Sequence, residues 1–472
     1  MTLCNYCYII EIYTTDMLLY NDWKTIDNKR RGGFNMKRNH YFLAIALSCM
    51  ALGMSACGGK NADSSGGVAT DKETEAAKSE AAKGDASETV VELNFWSLFT
   101  GDDGVTMDGI VKQFNEEHPN IKVNHIAMEA TTDLYVKLPM VAGDDNQAPD
   151  ISVVHNNYIP YLADKGAIQP IEGLTDGYEN LAEERYNNAD MAVYNGERYG
   201  VILDFPSAVL YGNKALIDQY YPEMIEDNIV TWDEIYELGD RLKEAGVIEQ
   251  IKPLVGSWAR NDMLHTFITN GGTYSEDGKT LAIDREILKK AQGEWKNLYD
   301  KGYFMEEDSD ALGMFAMGEA VFTTGGTWNL NVIKTYGLDY VMLPGVQYGT
   351  DDVLTYAAAH TFVMPQRGYT EEKRKAAGEF ISWFEDNAML WADAGSIIAN
   401  KELAAGDEYG KLPQAMVDKA GTRHWCPTFL YSSVCDATFN SFGFQAVYGH
   451  MTLDEYADGM IAKIEAEIKA QQ

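Results

Sequence analysis

Three tryptophans stand where the chain leaves regular structure for short polar turns. Trp96 closes the first apolar strand pattern, Trp258 sits in "GSWARND" beside Arg260, and Trp328 follows Thr324-Gly325-Gly326. An indole offers a broad apolar face with a donor at its edge, so each is a candidate stacking surface, with core packing as the alternative. Polar candidates lie at comparable places. Asp102 and Asp103 occupy a strand-to-helix loop, Asn157 and Tyr158 follow "PDISVV", Asp204 follows "YGVIL", and His360, Trp425 and Tyr431 are weaker members of the set. Carboxylates and amides make paired hydrogen bonds to a guest. The same groups cap helices, which is the competing role for Asp102, Asp103 and Asn157. The chemistry open to such a set is non-covalent: stacking and hydrogen bonding of a guest in a preformed cleft. Trp295 and Trp383 fall in helical patterns and are expected in the core.

Signatures of catalysis are missing: there is no H-E-x-x-H, no G-x-S-x-G elbow and no phosphate-binding Walker loop. No catalytic residue is assigned, although a carboxylate pair for glycoside cleavage stays open because separations in space are invisible in a sequence. The run Glu306-Glu307-Asp308-Ser309-Asp310 offers oxygen ligands to a cation; a solvated charge run is the better reading, and neither metal nor cofactor is expected. A net charge of −34 over 472 residues makes nucleic acid a poor partner and favours solubility outside the cell.

The N-terminal part reads as addressing rather than fold. Met36-Lys37-Arg38 precedes an apolar run from Tyr41 to Ala56 that ends in small residues, the layout of a secretory signal, and its strongly apolar part is too short to span a bilayer core. Met54-Ser55-Ala56-Cys57 resembles the lipobox of bacterial lipoproteins, which implies lipidation of Cys57 and cleavage before it. Several acyl chains make such an anchor stable. Residues 1–35 are expected to be an untranslated leader, because Arg30-Arg31-Gly32-Gly33 is what a purine-rich ribosome-binding site reads as in translation; the signal then covers 36–56. Cys4 and Cys7 form a C-x-x-C inside that leader and carry no weight. Residues 57–88 are Gly, Ser, Ala, Lys, Glu, Asp and Thr with almost no large apolar side chain, a flexible tether of roughly 30 Å reach. Of six cysteines, only Cys426 and Cys435 fall in the folded part. An oxidising exterior permits a bridge between them, with two buried thiols as the alternative.

From Val90 onward the pattern alternates. "VVELNFW" has strand periodicity, Met107, Ile110, Val111 and Phe114 fall on one helical face, and "HPNIKVNHI" ends that helix and supplies a second strand. "APDISVV" gives a third strand, "TWDEIYELGDRLKEAG" a helix with Thr231 as N-cap, and Asp277-Gly278 a hairpin turn. Strand and helix in alternation indicate an α/β layered fold. No later span is long and apolar enough for a membrane.

Nine segments in order carry a family likeness: "LNFWSLFTG", "IVKQFNEEHPNIKV", "APDISVVHNN", "LADKGAIQPI", "YGVILDFPSAVLYGNKALI", "TWDEIYELGDRLKE", "NGGTY", "FAMGEAVFTTGGTWNL" and "MLPG". The chain resembles the extracellular solute-binding proteins of family 1, the sugar-binding lipoproteins of ABC importers. The resemblance implies two α/β lobes with a ligand cleft between them, residues 89–205 plus 358–398 forming one lobe and 206–357 plus 399–472 the other. Crossings are placed near Asp204 to Ser207, Ala357 to His360 and Ile398 to Lys401. It further implies a carbohydrate ligand, ABC permease subunits as partners, a monomer, and attachment to the outer face of the cell membrane through Cys57. Sugars present flat C–H faces and a rim of hydroxyls, which suits Trp96, Trp258 and Trp328 with Asp102, Asp103, Asn157, Tyr158, Asp204, Arg260, Gly326 and His360. A non-sugar guest such as a peptide or phosphorylated polyol, and a secreted glycoside-acting enzyme, are the alternatives.

Overall fold

A computed structural model describes residues 90–129 and 133–472. The expected leader, signal, tether and lipidated Cys57 lie outside the described residues. Among the described residues fifteen strands follow in chain order: β1 (Val91–Ser97), β2 (Ile121–Ala127), β3 (Ile151–His155), β4 (Ile168–Gln169), β5 (Val193–Tyr194), β6 (Glu197–Arg198), β7 (Gly200–Phe205), β8 (Ala208–Asn213), β9 (Lys252–Val255), β10 (Ala320–Gly326), β11 (Tyr340–Pro344), β12 (Leu354–Tyr356), β13 (His360–Pro365), β14 (Ile397–Ile398) and β15 (Arg423–Trp425).

They form two main sheets. The first runs β14-β7-β13-β3-β1-β2, with β4 beside β13, and the second runs β11-β8-β10-β9. β1 is parallel to both β2 and β3, while β13 lies antiparallel between β3 and β7. In the second sheet β10 is parallel to β9 and antiparallel to β8. β7 and β8 are buried at every position, as sheets covered by helices on both faces require.

The helices attach by the faces their sequences dictate. In the helix Asp102–Glu117, Met107, Ile110, Val111 and Phe114 are all buried, and Phe114 meets Phe380 of the helix Glu371–Asp386 at 5.0 Å between ring centroids. Thr231 caps the helix Trp232–Glu244 in a full capping box, the Glu234 carboxylate accepting from the Thr231 backbone at 2.8 Å. Trp295 is buried and donates to Thr266 at 2.9 Å. Trp383 packs against the core, its ring 5.4 Å from Phe114, and keeps a half-buried edge that donates to the Glu117 carboxylate at 2.8 Å. The Asp277-Gly278 turn departs from a hairpin. Asp277 accepts from the backbones of Lys279 and Thr280 at 2.8 and 2.7 Å, and this local turn has no strands on either side.

The backbone leaves the first sheet after Phe205 and reaches the second at Ala208, returns between Tyr356 and His360, and leaves the first sheet again after Ile398. Two of these crossings touch, Ser207 pairing with Ala357 in an antiparallel bridge. His424, one residue before the end of β15's pairing with β12, braces the same place through a 2.8 Å hydrogen bond with the Ser207 hydroxyl.

Candidate functional site

Parallel strands bring their carboxyl ends to one edge of a sheet, and α/β folds bind guests at such edges. β9 and β10 are parallel neighbours, with Val255 opposite Thr323. Beyond β9 the chain runs through Gly256 and Ser257 to Trp258; beyond β10 it turns through Thr327 to Trp328. The two indoles meet edge to face, 5.9 Å between centroids at 83°, and stay 43% and 42% exposed. Below them a cleft of about 130 Å³ is lined by Ser257, Asn261, Asp262, Gly326 and Asn329 among others. Gly326 has a steric reason: an added Cβ would sit 2.1 Å from the Trp328 ring. Its carbonyl accepts from the Tyr211 hydroxyl at 2.9 Å and its N–H donates to Asn329 at 2.8 Å, which fixes the turn. Asp262 sits at the cleft wall with its Oδ2 buried and unpartnered, and burial raises this carboxyl to about 7.

In the first sheet, β1 and β3 are also parallel neighbours, and β3 runs straight into the turn that holds Asn157 and Tyr158. Tyr158 stacks on Tyr135 at 3.7 Å and 3°. Asn157 is buried and donates through Nδ2 to Asp436 Oδ2 at 3.0 Å. That carboxylate belongs to the helix Ser432–Phe442, which packs with the helix Ala259–Thr269 of the second sheet. It also accepts from Arg260 Nη2 at 2.9 Å and, on its other oxygen, from the Tyr274 hydroxyl at 2.8 Å. Burial opposes the Arg260 charge, but the Asp436 carboxylate outweighs it and the guanidinium pKa is raised. The Arg260 guanidinium lies 5.7 Å from the Trp258 ring, which joins this polar cluster to the indole pair.

A family model for bacterial extracellular solute-binding proteins matches residues 109–417. The chain belongs to that family. Among its relatives, this solute-binding protein is 24% identical over 209 residues to the arabinooligosaccharide-binding protein of Halalkalibacterium halodurans, covering 43% of this chain and 44% of the relative. It is 24% identical over 263 residues to the sn-glycerol-3-phosphate-binding periplasmic protein of Agrobacterium fabrum, covering 53% and 60%. The chain thus matches about half the length of these two curated relatives. The solved sugar-binding protein MalE of Xanthomonas citri superposes with a TM-score of 0.66 at 16% identity, covering 81% of this chain and 98% of that one. The two-lobed α/β fold of such binding proteins is therefore the fold of this chain.

The remaining candidates of this solute-binding protein sit elsewhere. Asp204 is buried, one oxygen bonded to His360 Nδ1 at 2.6 Å and the other to Trp391 Nε1 at 2.8 Å. His360 in turn packs against His155 at 5.0 Å and Phe99 at 4.9 Å. Both members of this pair are engaged by the fold. Trp96 belongs to the apolar core. Asp103 accepts from the Gly101 and Gly104 backbones at 3.0 and 2.8 Å, organising the helix start. Asp102 is the first residue of that helix, and its side chain lies outside the described part. Trp425 is half-buried with Arg423 5.8 Å from its ring, and Tyr431 precedes the helix Ser432–Phe442 beside Phe429.

The bridge considered between Cys426 and Cys435 is not made; both are free, buried thiols. Cys426 donates to Asn156 at 3.3 Å, while Cys435 lies in a helix with its side chain in the apolar core. The acidic run 306–310 is partly used locally: Glu307 pairs with His450 at 2.8 Å and Asp310 caps the helix Ala311–Ala316. Among the described residues no group of three or more His, Cys, Asp or Glu is placed to hold a metal ion. Asp436, which binds Arg260, and Tyr274, which donates to that carboxylate, are not among the residues the sequence singles out. Asp436 lies inside a helix among apolar and small residues, with no turn or motif beside it to single it out.

Proposed function

We propose that this protein is the substrate-binding component of an ABC importer, which captures an oligosaccharide between two lobes and delivers it unchanged to membrane permease subunits. The lobes are residues 89–205 plus 358–398 and residues 206–357 plus 399–472. Cys57 carries the lipid anchor at the outer face of the membrane. The observation that carries the reading is the exposed Trp258/Trp328 pair above a polar cleft at the carboxyl ends of β9 and β10, since stacking on flat C–H faces is what such indoles do in water. Relatives and structural neighbours named for oligosaccharides and sugars support it. A guest that touches groups of both lobes at once favours the closed arrangement, and only such differential contact shifts an open–closed equilibrium.

A phosphorylated polyol is the second reading, favoured by the glycerol-3-phosphate relative. Against it, no Lys or Arg lines the indole cleft, and Arg260 is already paired with Asp436. Calorimetric titration with maltooligosaccharides, arabinooligosaccharides and glycerol 3-phosphate separates the two. Saturable one-to-one binding of a neutral sugar without turnover is the expected result. Binding of glycerol 3-phosphate alone replaces the sugar reading, and release of cleaved products replaces the transport one.

A further inference from the structure

The turn after β3 belongs to the first lobe, while Asp436, Arg260 and Cys426 belong to the second. Two hydrogen bonds cross between them. Asn157 Nδ2 donates to Asp436 Oδ2 at 3.0 Å, and the Cys426 thiol donates to Asn156 Oδ1 at 3.3 Å. Asn156 is 0% and Asn157 2% exposed, so both amides face the opposite lobe rather than an opening.

This junction is only partly satisfied. Asn156 Nδ2, Asn157 Oδ1 and Arg260 Nε are buried without a hydrogen-bond partner, so each amide is bonded at one end and bare at the other. Buried polar atoms are normally paired. Three exceptions at one contact mark a surface that separates, because water reaches all three once the turn and the helix Ser432–Phe442 move apart. The charged acceptor works the other way, since hydrogen bonds to a carboxylate are stronger than neutral ones. Asp436 also receives Arg260 and Tyr274 from its own side, which keeps it in place when Asn157 leaves.

We infer that Asn156 and Asn157 form a latch between the lobes, made in the closed arrangement and broken in the open one, with no atom of the sugar in it. The inference rests on the two-lobed importer reading. It adds that part of the drive to close lies in residues that never touch the guest. A contact present only in the closed state enlarges the closed population and slows release, so affinity is set at this junction as well as at the indoles. Arg260, 5.7 Å from the Trp258 ring, places the latch one side chain away from the stacking face.

The Asn156 side chain touches the Cys426 sulfur, so Asn156→Cys sets two thiols against each other across the junction. Copper phenanthroline closes that bridge, dithiothreitol opens it, and mass spectrometry of the digested protein identifies it. Small-angle X-ray scattering without sugar should give a smaller radius of gyration for the bridged form than for the reduced one, and a radius for Asn157→Ala no smaller than that of the unaltered protein. Stopped-flow fluorescence with maltotetraose and α-1,5-linked arabinotetraose should show association slowed by about tenfold or more when bridged, and restored on reduction. In Asn157→Ala, which needs no bridge, release should be severalfold faster at an unchanged association rate. A bridge that does not form, scattering that is the same bridged and reduced, or unchanged release in Asn157→Ala overturns the inference and leaves the carbohydrate reading standing. If the unaltered protein binds neither sugar, the carbohydrate reading falls, and scattering alone decides the latch.

Discussion

Trp328 keeps its ring folded back over the end of β10 because Gly326 has no side chain to meet it. Two substitutions should therefore act on one surface. Trp328→Ala removes the stacking face and should weaken sugar binding by about 2 kcal/mol, the scale of one large apolar side chain lost from contact. Gly326→Ala should reproduce most of that loss by pushing the ring aside, with the thermal midpoint shifted little because the ring is already half in solvent. Titration and tryptophan fluorescence on both variants check this; an unaltered affinity in Gly326→Ala would show that the ring position is irrelevant. Asp262 gives a second residue-scale outcome. Burial holds its carboxyl at about 7, above its ordinary value of 3.8, so between those two values the folded state keeps a proton that the unfolded chain releases. Stability then declines as pH rises through that window. Asp262→Asn cannot titrate, and its stability relative to the unaltered protein should grow from about pH 4 to about pH 7, as denaturant melts at several pH values would reveal.

At the scale of elements, the helix Ser432–Phe442 and the turn after β3 are joined by one carboxylate. Asp436 receives Asn157 from the first-sheet side and Arg260 and Tyr274 from the second. Asp436→Asn leaves the Arg260 charge buried and uncompensated, which costs on the order of 3 kcal/mol or more. Asn157→Ala removes one hydrogen bond to a charged group and should cost about 1.5–3 kcal/mol. Chemical denaturation of both variants should preserve that order, and a larger loss for Asn157→Ala would mean that the carboxylate, not the cation, is the group in need of a partner. Much of this scale was legible in the chain. The Met107/Ile110/Val111/Phe114 stripe and the Thr231 cap are local signals, and the elements formed where those signals lie. The cluster on Asp436 was not legible, because its members are 162 to 279 residues apart. Trp96 illustrates the same limit: a residue at a strand end can face either way, and only packing put it in the core.

At the scale of the whole molecule, two sheets are linked by crossings of only a few residues, two of which pair at Ser207 and Ala357. Alternating strand and helix patterns made the α/β class readable, and the ordered family segments made the two-lobed arrangement readable. The candidate site was half readable, since its indoles lie in turns and the carboxylate that holds Arg260 does not. A saturating sugar should stabilise the folded protein by about 2.7 kcal/mol at one hundred times its dissociation constant, visible as a raised melting temperature that scales with the logarithm of sugar concentration. Cys426 and Cys435 offer an independent gauge. Burial pushes both thiols well above the usual cysteine range, so an alkylating reagent reaches them only in molecules that have come apart locally. Because Cys426 holds on to Asn156, next to the Asn157 contact with Asp436, its labelling rate is a stopwatch for the parting of that seam, readable by mass spectrometry on the unaltered sequence.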